Sequence, residues 1–501
     1  MSASRPSLAR AALAVSVVPA LWFVALPVVA ARAEAQAPPS GSAPARRSAR
    51  PAPAERQAIP ADPAVRAGRL PNGLRYYIRR NAKPAQRLEL RLVVNAGSVL
   101  EDDDQRGLAH FTEHMLFNGT RRFRKNDIVS YLESIGVRFG ADLNASTSFD
   151  ETVYILPVPT DKPGLVEKSF DILEDWAHGA LFDSVEVVNE RGVVLEEWRG
   201  GLGAARRIAD KEFPVIFHGS RYAERLPIGL PDVIQGATPA PLRRFYTEWY
   251  RPDNMAVVAV GDVEPARVEA LIRRHFGALR RPARARPRVT VAVPGHDTTL
   301  VSIVTDPEQQ SAQVSVLFKH PPAPQRTVAD YRRALVGELY NDMLNQRLTE
   351  ISRRPDAPFA FAGSAYGPFV RSTDVYQLSA AAKEGGVLPA LEALMLEARR
   401  VREHGFLPAE FERARTALLR AYERAHAERE KTESANYVDE YVEQFLTGTP
   451  SPGIAWEYRQ VQSLLPGIAL EDVNAMARRW MGERNRVVTI AAPARDSATV
   501  P

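Results

Sequence analysis

His110, Glu113 and His114 fall in the run Gly107-Leu-Ala-His-Phe-Thr-Glu-His-Met-Leu-Phe-Asn-Gly-Thr120, and together these three side chains could carry out hydrolysis. On a helix, positions i, i+3 and i+4 share one face, so both imidazoles and the carboxylate reach the same small volume. Two neutral ring nitrogens can then ligate Zn²⁺ at about 2.0–2.1 Å, leaving Glu113 to take a proton from the attacking water. The order H-x-x-E-H inverts the commoner H-E-x-x-H zinc-hydrolase motif. Histidine is scarce in the chain, nine in 501 residues, which makes two of them four apart informative.

A tetrahedral site needs a third protein ligand, and the chain has no Cys to supply one. The segment Ser184-Val-Glu-Val-Val-Asn-Glu-Arg-Gly-Val-Val-Leu-Glu-Glu-Trp198 reads as a helix behind an Asp183/Ser184 cap signal. Its Glu190 and Glu197 are seven apart and therefore on one face; Glu196 competes for the ligand role but is disfavoured by spacing. With this second segment the chain resembles the pitrilysin or insulinase family of metallopeptidases, in which H-x-x-E-H is followed some eighty residues later by a Glu-x6-Glu helix. The resemblance implies that Glu197 is the zinc ligand and that Glu190 is the carboxylate supporting the site. It also implies that Asp142-Leu-Asn-Ala-Ser-Thr-Ser-Phe-Asp-Glu-Thr-Val-Tyr154 forms an exposed sheet edge beside the metal. A peptide could add there as an extra strand, with Asn144 and Ala145 as candidates for main-chain contacts.

These residues need a scaffold, and the sequence reads as α+β. Leu88–Val94, Val153–Leu156 and Met255–Val260 are expected strands, against helices near 107–117, 125–135, 165–178, 185–199 and 263–275. The order favours a largely antiparallel sheet packed against helices; the resemblance implies helices on one face of it. Two halves repeat one plan. Leu242–Val260 resembles Val473–Ala491 at a constant offset of 231, pairing Trp249 with Trp480 and Asn254 with Asn485. The Ser184 helix finds a counterpart in Pro408–Ala421, where Glu190 and Glu197 become Ala414 and Ala421. The H-x-x-E-H helix matches Ala334–Leu344, with Glu338, Asn341 and Asp342 at the three chemical positions. The second half is therefore expected to keep the fold and lose the metal. The resulting organisation is a signal peptide over 1–35, a Pro/Ala/Arg-rich flexible tether over 36–65, a zinc-binding domain over 66–279, a linker over 280–292 and a metal-free repeat over 293–501.

The leader holds Arg5 and Arg10 ahead of an apolar stretch from Ala11 to Ala31, which predicts a periplasmic or secreted protein. An uncleaved membrane anchor is the alternative, weakened by Pro19 and Pro27. The formal charge of +5 resides mostly in residues 1–65, where seven Arg face Glu34, Glu55 and Asp62. No basic stripe with interleaved aromatics remains, so nucleic acid is not an expected partner. The expected function is zinc-dependent endopeptidase activity on peptides or small unfolded proteins, with one Zn²⁺ per chain. A noncatalytic peptide-binding scaffold is the contrasting reading, and the intact His110, Glu113, His114 and Glu197 set argues against it. The resemblance further implies that longer members have four such domains, the last two contributing an Arg and a Tyr to substrate. Tyr422 and Arg424 do not match the expected spacing. A homodimer and a complementary noncatalytic subunit both stay open as partners.

Overall fold

The computed structural model describes residues 56–496, apart from 139 and 141–143; the expected signal peptide and most of the expected tether lie outside the described residues. The first half runs β1 (Val65–Arg69), β2 (Arg75–Arg80), β3 (Arg87–Val94), α1 (Leu108–Met115), α2 (Asp127–Ser134), β4 (Asn144–Thr147), β5 (Thr152–Pro159), α3 (Leu165–His178), α4 (Ser184–Gly200), α5 (Ala204–Ile216), α6 (Pro231–Gln235), α7 (Pro239–Trp249), β6 (Met255–Gly261) and α8 (Pro265–Phe276). The second runs β7 (Leu300–Asp306), β8 (Gln313–His320), α9 (Val328–Ser352), β9 (Phe359–Val370), β10 (Thr373–Ala382), α10 (Val387–His404), α11 (Pro408–Ala427), α12 (Ser434–Thr447), α13 (Ile454–Leu464), α14 (Leu470–Trp480) and β11 (Arg486–Pro493).

The first sheet has the order β1-β2-β6-β3-β5-β4 and the second β7-β11-β8-β10-β9. Apart from β1 the two orders superpose, each with a single parallel pair, β2 with β6 and β7 with β11. The fold is α+β, two largely antiparallel sheets with helices. The repeat legible at offset 231 is α7-β6 and α14-β11, whose elements begin 231 residues apart.

Each sheet buries one face against its own helices. In β3, Leu88, Leu90, Leu92 and Val94 point into a core shared with Phe111, Trp176 and Trp249, as the period-2 pattern requires. The other face is not open, which departs from the one-sided cover that the family resemblance implied. Tyr77, Val93, Ala256, Val258 and Val260 meet Tyr437, Val438, Tyr441 and Phe445 of α12, a helix from the other half. This explains why Met255–Gly261 is buried at every position rather than alternating. In return α5 of the first half lies on the second sheet, where Ile208 packs with Val304 and Ala491. The halves thus exchange helices.

Residues 59 and 62, inside the stretch expected to be a tether, are tied to the second half. Ile59 N–H donates to Arg326 O (2.9 Å), Asp62 N–H to Ser451 O (3.0 Å), and the Asp62 carboxylate pairs with Arg79. The expected linker forms an extended strap across the first half: Arg286 pairs with Asp102 (2.8 Å) and Glu248 (3.0 Å), and Arg288 with Asp150 (3.1 Å).

Candidate metal centre

The chemistry-bearing helix α1 is short, and its start is fixed by groups far from its own motif. Glu101, fully buried, accepts from the main-chain N–H of Gly107 (3.0 Å) and Ala109 (2.7 Å), placing a carboxylate at the positive end of the helix. Burial still pushes Glu101 up to about 8, against these two bonds. Gly107 has φ +101, and a Cβ there would stand 2.9 Å from Gly229 Cα, so only glycine permits this approach. Leu108, Phe111 and Met115 anchor the buried face. That leaves His110 and His114 turned toward α4.

Helix α4 begins where expected: the Asp183 carboxylate accepts from Val185 N–H (2.8 Å) and Glu186 N–H (3.3 Å), a side-chain N-cap. Its Glu197 reaches both histidines. His110 Nε2 and His114 Nε2 are 3.2 Å apart, and Glu197 Oε2 lies 3.5 Å from the first and 3.3 Å from the second. Ligand atoms held about 2.0–2.1 Å from one ion at tetrahedral angles stand about 3.3–3.4 Å apart. The three edges bracket that value, so the donor set and its spacing fit one Zn²⁺. Glu190 Oε1 lies 2.8 Å from His114 Nδ1, the carboxylate contact that orients a ligating imidazole and leaves Nε2 for the metal. Glu196 is turned away, exposed and paired with Arg199.

The electrostatics push the two imidazoles apart. Burial and the adjacent His114 drive His110 down to about 4, whereas burial of His114 is outweighed by Glu190 and Glu197, which hold it up at about 10. The hydrogen bond from His114 is the main cause that keeps Glu197 below the usual carboxylate range. Burial opposes ionisation of Glu190, but contacts with His114 and Asn118 overcome it and lower its pKa. Three donor atoms converging on one point is an arrangement that a divalent cation can take over, with release of protons from the ligands.

Glu113 is not one of the three converging donors. It is 7 % exposed, and its Oε2 accepts a 2.6 Å hydrogen bond from Thr147 Oγ1 on β4; burial, the larger effect, raises it to about 7. Below lies a chain of hydroxyls: Thr147 Oγ1 is 3.4 Å from Thr152 Oγ1, and Tyr154 Oη meets Tyr250 Oη at 2.7 Å. Sequence reasoning missed Thr147, because a threonine in a strand carries no signal of its own.

Asn144 and Ala145 are on β4, which among the described residues pairs with β5 alone. Ser148 N–H donates to Glu151 O (2.8 Å) at the turn, so alternation along an antiparallel pair directs the main-chain groups of Ala145 and Thr147 to the open edge. The Ala145 N–H meets Asn144 Oδ1 there (2.9 Å). Tyr422, in contrast, is fully buried with its hydroxyl 3.5 Å from Glu338, and so is closed to a substrate. A second convergence, Asp171, Glu174 and His275, already has a cation, since Arg122 donates to Glu174 at 2.8 Å.

Comparison with known proteins gives the chain its relatives. The family described as insulinase, peptidase family M16, matches residues 76–200, and the peptidase M16 inactive domain matches 236–418. The chain belongs to the insulinase-type M16 peptidase family. It is 39% identical over 435 residues to a PQQL-like zinc protease of Arabidopsis thaliana, covering 86% of this chain and 42% of that one. It is 30% identical over 426 residues to the probable zinc protease PqqL of Escherichia coli, covering 84% and 45%. The crystal structure of the first half of the periplasmic protease PqqL from E. coli superposes with a TM-score of 0.83 at 28% identity, covering 88% of this chain and 94% of that one. With the whole E. coli protein the TM-score is 0.84 at 27% identity, over 89% of this chain and 49% of that one. The chain spans less than half the length of these curated relatives. The M16 inactive-domain match begins just before α7, although α7 and β6 build the half that holds His110, His114 and Glu197. Among the described residues no helix is long and apolar enough to cross a membrane.

Proposed function

We propose that this chain is a zinc-dependent endopeptidase acting on peptides or small unfolded proteins in the periplasm or outside the cell. The observation that carries the reading is the triangle of His110, His114 and Glu197, with edges of 3.2–3.5 Å, beside a buried carboxylate that is not one of its corners. His110, His114 and Glu197 would hold one Zn²⁺, and Glu190 would fix the His114 tautomer. When bound, the ion supplies Lewis acidity, activating water and polarising the scissile carbonyl. Glu113 takes the proton from the attacking water and delivers it to the leaving amine, its carboxylate held by Thr147. The open edge of β4 receives the peptide backbone as an added strand, so that affinity comes from main-chain bonds independent of sequence. Periplasmic placement is supported by the apolar leader and by the description of the E. coli relative as a periplasmic protease.

A second reading is favoured by the share of the relatives' length that is matched, 42% and 45%, and by Glu197 being 51% exposed. In it the chain is a catalytic half that needs a complementary unit, or a second copy, to close over the site.

The test is cleavage of an internally quenched peptide mixture by the full chain, with Glu113→Gln as control and metal content measured on both. Chelator-sensitive cleavage, lost in the variant while about one zinc per chain is retained, is expected. Full activity in Glu113→Gln would rule out the base assignment. Zinc without cleavage in the wild type would favour the second reading. His110→Ala and Glu197→Ala are expected to lose metal as well as activity.

A further inference from the structure

The second half touches the turn that follows the strand bordering the candidate active site. Arg371, in the turn between β9 and β10, has a side chain only 13% exposed. Its main-chain N–H donates to Asp150 Oδ2 (3.2 Å). Its guanidinium donates to Glu151 Oε2 (2.9 Å), Asn95 Oδ1 (2.9 Å) and Leu446 O (2.6 Å). Asp150 and Glu151 belong to the turn that joins β4 to β5. Asp150 is further held by Tyr222 Oη (2.8 Å) and Arg288 (3.1 Å). Two residues before Arg371, Phe369 stacks on Phe217 at 5.2 Å, and Phe217 meets the turn residue Phe149 edge-on at 5.7 Å. The two acids of the turn are thus held by the main chain and the guanidinium of Arg371 from the other half, and the turn's Phe149 is reached by Phe369 only through Phe217.

The turn matters because β4 has few other restraints. It is four residues long and, among the described residues, bonds to a neighbouring strand on one side alone. Yet it carries Thr147 under Glu113 and the outward main-chain groups of Ala145. Beside the contact the halves separate around a cleft of about 550 Å³ lined by residues 148–151 and 368–371 with Glu443 and 446–449, so close packing does not fix the turn on that side.

We propose that Arg371 is a positioning residue: through the Asp150–Glu151 turn it sets the edge strand β4, so that the metal-free half completes the peptide-binding edge of the metal-bearing one. This rests on the peptidase reading for its kinetic consequence, but not for its structural one. Arg371 touches neither the metal ligands nor Glu113. Thr147 keeps its own 2.6 Å bond to the buried Glu113, so the loss of Arg371 acts first on the outward edge of β4 that receives a peptide strand rather than on the base or the ion. An effect on binding with the chemical step intact appears in KM more than in kcat.

The experiment compares the full chain with Arg371→Ala, Arg371→Lys and Glu151→Gln, measuring zinc content, amide hydrogen exchange at Ser146 and Ser148, and KM and kcat on one quenched peptide. For Arg371→Ala the expected result is unchanged zinc, exchange in β4 faster by about tenfold or more with α1 unaffected, and KM raised about tenfold with kcat within about threefold. Arg371→Lys should restore most of both, since it keeps the charge toward Glu151. Unchanged exchange in β4, or a kcat loss with no KM change, overturns the proposal. If Arg371→Ala fails to fold, Glu151→Gln decides: faster exchange in β4 with zinc retained supports the proposal, and unchanged exchange overturns it. A wild type that holds zinc and cleaves nothing defeats the self-sufficient peptidase reading, while the exchange data still decide the role of Arg371.

Discussion

At the scale of single residues, the base is better defined by what holds it than by its own position. Thr147 donates to Glu113 Oε2 at 2.6 Å, and a hydrogen bond to a charged group contributes about 1.5–3 kcal/mol. Thr147→Val keeps the shape and deletes the hydroxyl, so kcat is expected to fall about tenfold to a hundredfold with zinc retained; Thr147→Ser should stay near wild type. Equal losses in both variants would show that the methyl group, not the hydroxyl, matters. Glu190→Gln is expected to weaken zinc binding by about tenfold to a hundredfold, read by competition with a chelator, because the carboxylate behind a ligating histidine raises its basicity. The convergence of the candidate ligands His110 and His114, with Glu113 beside them, was legible in the sequence because helical spacing alone brings the three to one face. The choice of Glu197 over Glu190 needed the family resemblance, and the structure makes the difference visible: one carboxylate meets Nε2, the other Nδ1. Thr147 and Glu101 were not legible, since each acts across a distance in sequence that no local pattern encodes.

At the scale of elements, α1 and α9 are the same device with and without its chemistry. Where Glu113 accepts from Thr147 of β4, Asn341 of α9 accepts from Ser364 of β9 at 2.9 Å. The link from helix to edge strand is kept where the two histidines are not. At the position of His110 stands Glu338, which burial raises to about 7 from 4.5. Its folded form holds the proton more tightly than the unfolded chain does, so it contributes stability below about pH 4.5 that is lost as pH rises through about 7. Glu338→Gln is therefore expected to raise Tm relative to wild type at pH 8, the difference shrinking toward zero by pH 5 in a thermal melt series. A constant difference across that range would show that the carboxyl is already ionised at low pH. Helix α3 was legible to the residue, because its apolar positions recur at a helical period. The strands β1 and β2 and the helices α5 and α12 were not singled out, because what decides them is the partner they pack on rather than their own pattern.

At the scale of the whole molecule, the exchanged helices make the two halves one cooperative unit. Helix α12 covers the outer face of the first sheet, and its Tyr441, fully buried, stacks on Tyr77 at 6.1 Å between centroids and receives a 3.1 Å hydrogen bond from Arg79. The same Arg79 lies 3.7 Å above the Tyr437 ring and pairs with Asp62, so the segment ahead of β1, the first sheet and α12 meet at one guanidinium. Large aromatic truncations in a packed interior cost about 3–5 kcal/mol because the cavity does not close. Tyr441→Ala is thus expected to lower the melting temperature of the whole chain in a single calorimetric transition and to speed hydrogen exchange in β6 as well as in α12. Two resolved transitions, with only the second half destabilised, would mean that the sheets fold independently and that α12 is a passive cover. The single transition follows from where the apolar surface lies. With α12 removed, Tyr77, Val93, Ala256, Val258 and Val260 would face water together, a contiguous patch that a stable isolated domain does not expose.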